Sequence, residues 1–476
     1  MRSIIISSKS LSSSTLFIAG HGWTGAFGNG PRNITSPETS DVSSDDRDNK
    51  FKVIDDVKPL GEIVNAAAGW GHTALICKRD DEHETKLYVA GRPFDFQALL
   101  RLYRLPSFIR RIALSMSLKL DEQSDWGLEE KIISKLSGND DRLKEYRKSV
   151  LPYFEEMKLP NGDIPLIDAS HHTLATSAGF TAVIGKSGTA YTFGLNRSGQ
   201  CGVGDESSVH IWTPTPIDLY SDNDKKPIVT DVALGLQHGL VLDESGSVYT
   251  FGKGSRGQLG SSGESIFTTE SKKDDDFVFS PVKIQQFNID YSNNDTYSAV
   301  TKISAGWNHS AVVTKNNHAW IWGKNVVLDY TKNNDAAPTA TDSLYPLQIK
   351  GLPALDILDI SCGSHHTSIL MEDGSVYATG ISTDTNEIIG GQTAVQIIPP
   401  SIIDMPVRQF KSHFDRTTII AGENGKQILE VQLWSNEKLR EEAVFEPSWV
   451  ENIFDACDNI KLVHRGWFHT IIIGNE

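Results

Sequence analysis

A spacing that recurs along the chain constrains its fold more than any local signal does. From His238, eight residues lead to Gly246 and fourteen to Gly252, with the apolar run Val248 to Phe251 between them. The same steps run from His366 to Gly374 and Gly380 around Val376 to Thr379, and from His309 to Asn317 and Gly323 around Ala319 to Trp322. Phe180 takes the histidine place in a further copy that reaches Gly188 and Gly194. A fixed period of this kind marks a repeat architecture, in which each unit buries its apolar face only against its neighbours.

Three looser copies complete the set. His72 leads to Gly91 with five extra residues, Asp80 to Glu84, in the turn, and Arg416 replaces the histidine in a copy ending near Trp434. The last copy is divided between the two ends of the chain: His469 begins an apolar run through Ile473, and Leu16 to Gly20 supplies its partner. A proline also recurs once per copy, at Pro59, Pro165, Pro216, Pro281, Pro346, Pro400 and Pro447. Proline has no N–H to give a ladder, so these positions read as strand starts or sheet edges.

Inside the repeat, Leu240 to Leu242 and Ser368 to Leu370 read as short strands. Glu244 to Gly246 and Glu372 to Gly374 read as hairpin turns whose glycine takes a positive φ. Gly69, Gly235, Gly306, Gly363 and Gly466 each stand three residues before a histidine, at His72, His238, His309, His366 and His469. This frame suits backbones crowding near an axis. The pattern predicts an all-β chain folded as a single propeller over residues 1–476. Seven blades are closed by N- and C-terminal strands, which removes the open sheet edges.

One segment departs from the repeat. Residues 92–165 interrupt it between the His72 and Phe180 copies and read as a mainly helical insertion, with Glu129 to Met157 as further helix. Between Arg92 and Lys119 there are six basic residues against Asp95 alone, a charge of +5 inside a chain of −16. Leu99, Leu102, Leu105, Phe108, Ile109 and Ile112 alternate with the arginines at roughly helical spacing. Such a helix is either a cap packed on the propeller or a docking element for an acidic partner or a membrane surface. Arg101, Arg104, Arg110 and Arg111 are the candidate partner-binding residues.

The 61 acidic against 45 basic residues repel phosphates, so direct nucleic-acid binding is not expected. Cys77, Cys201, Cys362 and Cys457 form no close pair, which suits a reducing compartment and a cytoplasmic location. Residues 1–14 carry Arg2, Lys9 and many serines but no acid, and read as a short targeting segment that leaves a mitochondrial location as the alternative. No apolar run is long enough for a spanning helix. Cys362-x-x-His365-His366 has no second zinc half-site. The histidines fall one per blade, too far apart to share an ion. Gly20-x-Gly22-x-x-Gly25 and Gly252-x-Gly254-x-x-Gly257 match a dinucleotide fingerprint but belong to the β-repeat. No catalytic, cofactor or metal residues are therefore assigned, and a monomer is expected.

Gly235-x-x-His238, Gly246-x-Val248-Tyr249-x-Phe251-Gly252 and Gly257-Gln258-Leu259-Gly260 together resemble the repeat of the regulator of chromosome condensation family. Phe180 to Gly202 matches nearly as well, ending Gly199-Gln200-Cys201-Gly202, whereas the copies at His72, His309, His366 and Arg416 lack that finish. The resemblance implies a seven-bladed propeller. It also implies a choice of roles, since the family's founding member is an exchange factor for the GTPase Ran and other members are scaffolds, organelle proteins or enzyme inhibitors. The expected function is a non-enzymatic protein-interaction scaffold. Guanine-nucleotide exchange on a small GTPase and an organelle (mitochondrial) role are the alternatives.

Overall fold

The computed structural model describes residues 14–20, 51–79, 84–91, 151–168, 171–219, 226–260, 277–287, 299–329, 339–381, 388–389, 391–413, 416–422, 426–432, 444–447, 450–454, 457–466 and 469–475. The third blade shows how the repeat becomes structure. Its strands Val229–Leu234, His238–Asp243, Val248–Lys253 and Phe277–Lys283 pair in sequence order, each antiparallel to the last. The turn after the second strand is tied by the Asp243 carboxylate, which accepts from the backbone N–H groups of Ser245 and Ser247 at 2.9 Å each. Gly246 there has φ +86°, Gly374 in the equivalent turn has φ +80°, and Asn317 takes the position at φ +63°. Asparagine is among the few residues with a side chain that tolerate this region.

Seven sheets of this kind are present, six of four strands and one of five. The seventh blade closes the ring as expected: Ser14–Gly20 lies on His469–Asn475 in unbroken register from Ser14 opposite Asn475 to Gly20 opposite His469. The inner strand of that blade is Asn459–Arg465 and the outer one Lys52–Val53. The copies read at the sequence level as led by Phe180 and Arg416 are full blades, with second strands Phe180–Ile184 and Arg416–Ala421.

Both faces of each sheet are covered by a neighbouring sheet, so the middle strands are buried on both sides and read as unbroken apolar runs rather than alternating ones. Leu16, Ile18, Ile471 and Ile473 of the seventh blade meet Ile63, Leu75 and Tyr88 of the first in one cluster. Leu240, Leu242 and Val248 of the third meet Ile303, Val312 and Trp322 of the fourth in another. Pro216, Pro281 and Pro346 lie within outermost strands, where a missing N–H breaks no ladder.

The insertion differs from its expected form. Leu151–Glu156, assigned to helix from the sequence, is the fourth strand of the first blade and pairs with Thr85–Gly91, Glu156 opposite Tyr88 and Leu151 opposite Gly91. Residues 157–165 hold a short 3-10 turn at Pro160–Gly162 and an isolated bridge from Pro165 to Gly185. The departure therefore sits inside a blade, between its third and fourth strands. Residues 92–150, with Arg101, Arg104, Arg110 and Arg111, lie outside the described residues, as does the candidate targeting segment up to residue 13.

Strand direction sorts the connections. Inner strands run toward the Gly-x-x-His turn, second strands away from it, third strands back again. Third-to-fourth connections, which include residues 21–51, 92–150 and 254–276, thus leave at the same end of the propeller as the glycines.

Candidate functional site

The residues that follow the inner strands form a ring at that end: Gly69, Ser177, Gly235, Gly306, Gly363, His413 and Gly466. Space, rather than backbone conformation, demands glycine here. A Cβ on Gly306 would stand 2.1 Å from the His309 ring of its own blade and 2.4 Å from the Gly363 carbonyl oxygen of the next. Gly235 is confined in the same way by His238 and the Gly306 carbonyl, and Gly363 by His366 and the His413 carbonyl. The two exceptions, Ser177 and His413, stand in the two blades whose histidine is replaced, by Phe180 and Arg416. Glycine and histidine are therefore one feature. We expect Gly306→Ala to lower stability by about 2–3 kcal/mol through overpacking against a carbonyl and a fixed ring. Ser177→Ala should cost about 1 kcal/mol or less, since a single hydroxyl contact to the Gly235 carbonyl is lost. Urea midpoints measure both.

Four of the five frame histidines tie their blade to the next. Nε2 of His72 meets Thr181 Oγ1 at 2.9 Å, His238 meets Ser310 Oγ at 3.0 Å, His309 meets Thr367 Oγ1 at 3.1 Å and His469 meets Thr73 Oγ1 at 2.8 Å. The tie is to a side-chain hydroxyl one residue past the histidine position of the next blade. Phe180 cannot make it, and the corresponding residue of the third blade is Gly239, so donor and acceptor are missing together. Burial pushes these imidazoles down, His72 to about 4 and His238, His309 and His469 to about 3. They are neutral at physiological pH, which fits one ring nitrogen serving each tie.

Arg416 solves the sixth-to-seventh junction with charge. Its Nη1 lies 3.0 Å from Glu430 Oε2, while Arg465 of the seventh blade's inner strand donates to Glu430 Oε1 through Nε at 3.0 Å and also through Nη2. Glu430 is fully buried. The Gly-Gln-x-Gly finish is a staple of a different kind. The Gln258 carbonyl accepts from Trp322 Nε1 and Ser310 Oγ of the fourth blade, both at 2.9 Å, and Gly260 lies flat against the Trp322 ring.

Inside the ring of glycines the axis holds a cavity of about 130 Å³ lined by small inner-strand residues, among them Ala175, Ala233 and Ser304, and by Lys411, His413 and His464. Trp70 and Trp307, from the first and fourth blades, approach to 5.9 Å between ring centroids at its glycine end. One layer toward the other end, polar side chains of neighbouring blades meet: His172 Nδ1 lies 3.3 Å from Asp231 and Lys302 pairs with Asp359 at 3.8 Å. Lys411, His413, His464 and Arg465 bring large polar side chains to the cavity from the sixth and seventh blades.

No group of His, Cys, Asp and Glu residues suited to a metal occurs among the described residues. Cys362 Sγ instead meets Thr367 Oγ1 at 3.4 Å, and burial pushes its thiol up to about 11. The glycine–histidine pair stands in five of the seven blades, while the axial and ion-paired residues escaped the sequence analysis. Lys411, His464 and Glu430 each interrupt an apolar or small-residue pattern, and that irregularity is the signal they left.

Residues 187–242 and 245–313 match the family model of the regulator of chromosome condensation (RCC1) repeat, and residues 229–258, 300–327 and 357–384 match a second model of the same repeat. Over 204 residues, 42% of this chain, the sequence is 28% identical to 10% of a Dictyostelium discoideum bifunctional serine/threonine-protein kinase/NEDD4-like E3 ubiquitin-protein ligase. Over 217 residues, 46% of this chain, it is 27% identical to 42% of the ultraviolet-B receptor UVR8 of Arabidopsis thaliana. The chain thus spans less than half the length of these relatives. The fold is shared with yeast RCC1 (Prp20) in its complex with Kap60, at TM-score 0.61 and 17% identity over 98% of this chain and 90% of that one. The structure of Prp20p from Saccharomyces cerevisiae has also been described with its binding properties to Gsp1p and histones. Seven closed blades, the recurring glycine–histidine frame and these matches show a seven-bladed β-propeller that carries regulator of chromosome condensation repeats.

Proposed function

We propose that the chain is a non-enzymatic scaffold that holds a protein partner at the glycine-ring end of the propeller. The observation that carries this reading is the sorting of connections: the segments that depart furthest from the repeat, 21–51, 92–150 and 254–276, all join strands at that end. A rigid frame that varies its connections on one face is the usual way a propeller or barrel acquires a binding surface. The stretch 92–119, with its charge of +5, favours a partner with an acidic surface.

The test is affinity capture by the intact chain and by two variants. One lacks residues 92–150 and keeps the strand Leu151–Glu156; the other carries Arg101→Glu, Arg104→Glu, Arg110→Glu and Arg111→Glu. A partner held by the intact chain is expected to be lost by at least tenfold from both. Equal capture by all three forms refutes a role for the arginines. Guanine-nucleotide exchange is the second reading, favoured by the fold shared with a protein whose binding to Gsp1p has been described. It predicts faster release of labelled GDP when a captured GTPase meets the purified chain.

A cytoplasmic location is proposed as well, supported by four free and buried cysteines. A fluorescent protein fused behind residues 1–14 should stay in the cytosol; import into mitochondria would overturn the assignment.

A further inference from the structure

The axial cavity brings together three side chains that each have a hydrogen-bond donor to offer, Lys411, His413 and His464. His464 Nδ1 accepts the backbone N–H of Ala68 at 3.1 Å, and His413 Nδ1 accepts that of Arg465 at 3.4 Å. Burial holds both imidazoles well below the ordinary histidine range, so both are neutral. A neutral ring that accepts at Nδ1 carries its proton on Nε2. Each histidine therefore presents an Nε2–H. The two rings stand edge to face, 5.0 Å between centroids, and both line the cavity. His413 is 7% exposed, and its Nε2 has no partner among the described residues.

Lys411, on the inner strand Val407–Ser412 that ends just before His413, brings an ammonium to the same cavity. Around the axis, Glu430 accepts from both Arg465 and Arg416, Asp359 pairs with Lys302, and Asp231 lies beside His172. Lys411 has no ion pair of its own among the described residues, although Asp359 and Asp231 lie near enough to favour its charge against a stronger desolvation. An enclosed cation with no counterion is costly, and so is an enclosed N–H with no acceptor.

Three side-chain donors, one of them a cation without an ion pair of its own among the described residues, define the complement. We propose that the axial cavity binds one small oxyanion, held by Lys411 Nζ and by Nε2–H of His413 and His464. The size of the cavity sets the class. A volume near 130 Å³ accepts a tetrahedral oxyanion such as inorganic phosphate or sulfate. Selectivity follows from the donors. An oxyanion with several acceptor oxygens engages three divergent N–H groups at once, whereas chloride offers charge without directed lone pairs. The site joins the sixth and seventh blades, so a bound anion fastens the junction beside the closure of the ring.

Equilibrium dialysis of the full chain against labelled inorganic phosphate at constant ionic strength tests the proposal. One equivalent per chain is expected, displaced by sulfate and at least tenfold less by chloride. Lys411→Met should reduce binding at least tenfold, and Lys302→Met, which removes a paired cation from the same axis, should leave it within twofold. Because Lys411→Met can fail to fold, crystals of the unaltered protein soaked in selenate supply an independent reading. An anomalous peak within hydrogen-bonding distance of Lys411 Nζ and a histidine Nε2 is the expected result. No saturable binding, displacement by chloride equal to that by sulfate, or selenate found only elsewhere each overturns it.

Discussion

Lowering the pH from 7.5 to 5.5 is expected to destabilise the propeller by about 5 kcal/mol through four of its inter-blade histidines alone. His72, held down to about 4, and His238, His309 and His469, held down to about 3, cannot take up a proton in the fold until the pH approaches those values. Released from the fold, each titrates near 6.5. Between about 3–4 and 6.5 the unfolded chain therefore binds more protons than the folded one, and stability rises with pH throughout that window. The contribution is fully present above 6.5 and is lost as the pH falls toward the folded values. One pH unit below 6.5, each histidine has given up about 1.4 kcal/mol. A folded domain has only about 5–15 kcal/mol to lose. Melting followed by tryptophan fluorescence should show a midpoint that drops by several degrees between pH 7.5 and 5.5. His238→Gln, which keeps a side-chain donor but removes one titrating group, should reduce the proton uptake on unfolding by about one. A midpoint that stays flat over this range would show that the rings are not enclosed as described.

The same histidines explain why so much of the fold was legible. Each blade must satisfy the same neighbour, so the glycine, the histidine and the positive-φ turn recur at fixed spacing, and the spacing survives even where a residue changes. The blades led by Phe180 and Arg416 were readable because the rest of the frame held. What replaced the histidine there was not readable. The pairing of Phe180 with Gly239, or of Arg416 with Glu430 and Arg465, depends on contacts between blades that no local pattern records. Leu151–Glu156 was misread for a related reason. An outermost strand packs through fewer positions, and only its pairing with Thr85–Gly91 decides that Leu-Pro-Tyr-Phe-Glu-Glu is extended rather than helical. Lys411, His413 and His464 were invisible because an axial cavity is made by seven inner strands at once. Their departure from the alanines, serines and glycines at matching positions was the available clue. The arginines of residues 92–119 lie outside the described residues, and their role rests on charge and spacing.

Deleting residues 1–20 should abolish cooperative folding, whereas moving the chain ends to another place in the ring should not. Ser14–Gly20 is the third strand of the seventh blade, and without it His469–Asn475 becomes an open edge. Leu16 and Ile18 are wholly buried and Phe17 is 2% exposed, so their loss removes about 2 kcal/mol each before the backbone ladder is considered. The outer strand Lys52–Val53 loses its strand partner among the described residues in the same step. The deleted chain is expected to melt broadly and to aggregate, which sedimentation and calorimetry would both register. A circular permutant that begins at Glu62 and ends at Gly61, with a short linker from Glu476 to residue 13, provides the contrast. Asn475 and Ser14 already lie side by side, so the linker spans a hairpin and the seventh blade becomes continuous in sequence. The cut leaves the buried Ile54 and Val57 attached to the strand they pack beside. This permutant should melt in one transition within a few degrees of the parent. A deleted chain that melts as sharply as the parent would show that six blades hold the ring without closure. A permutant that fails to fold would show that the terminal strands act through the order in which the blades form, since every strand pairing in the finished structure would be retained.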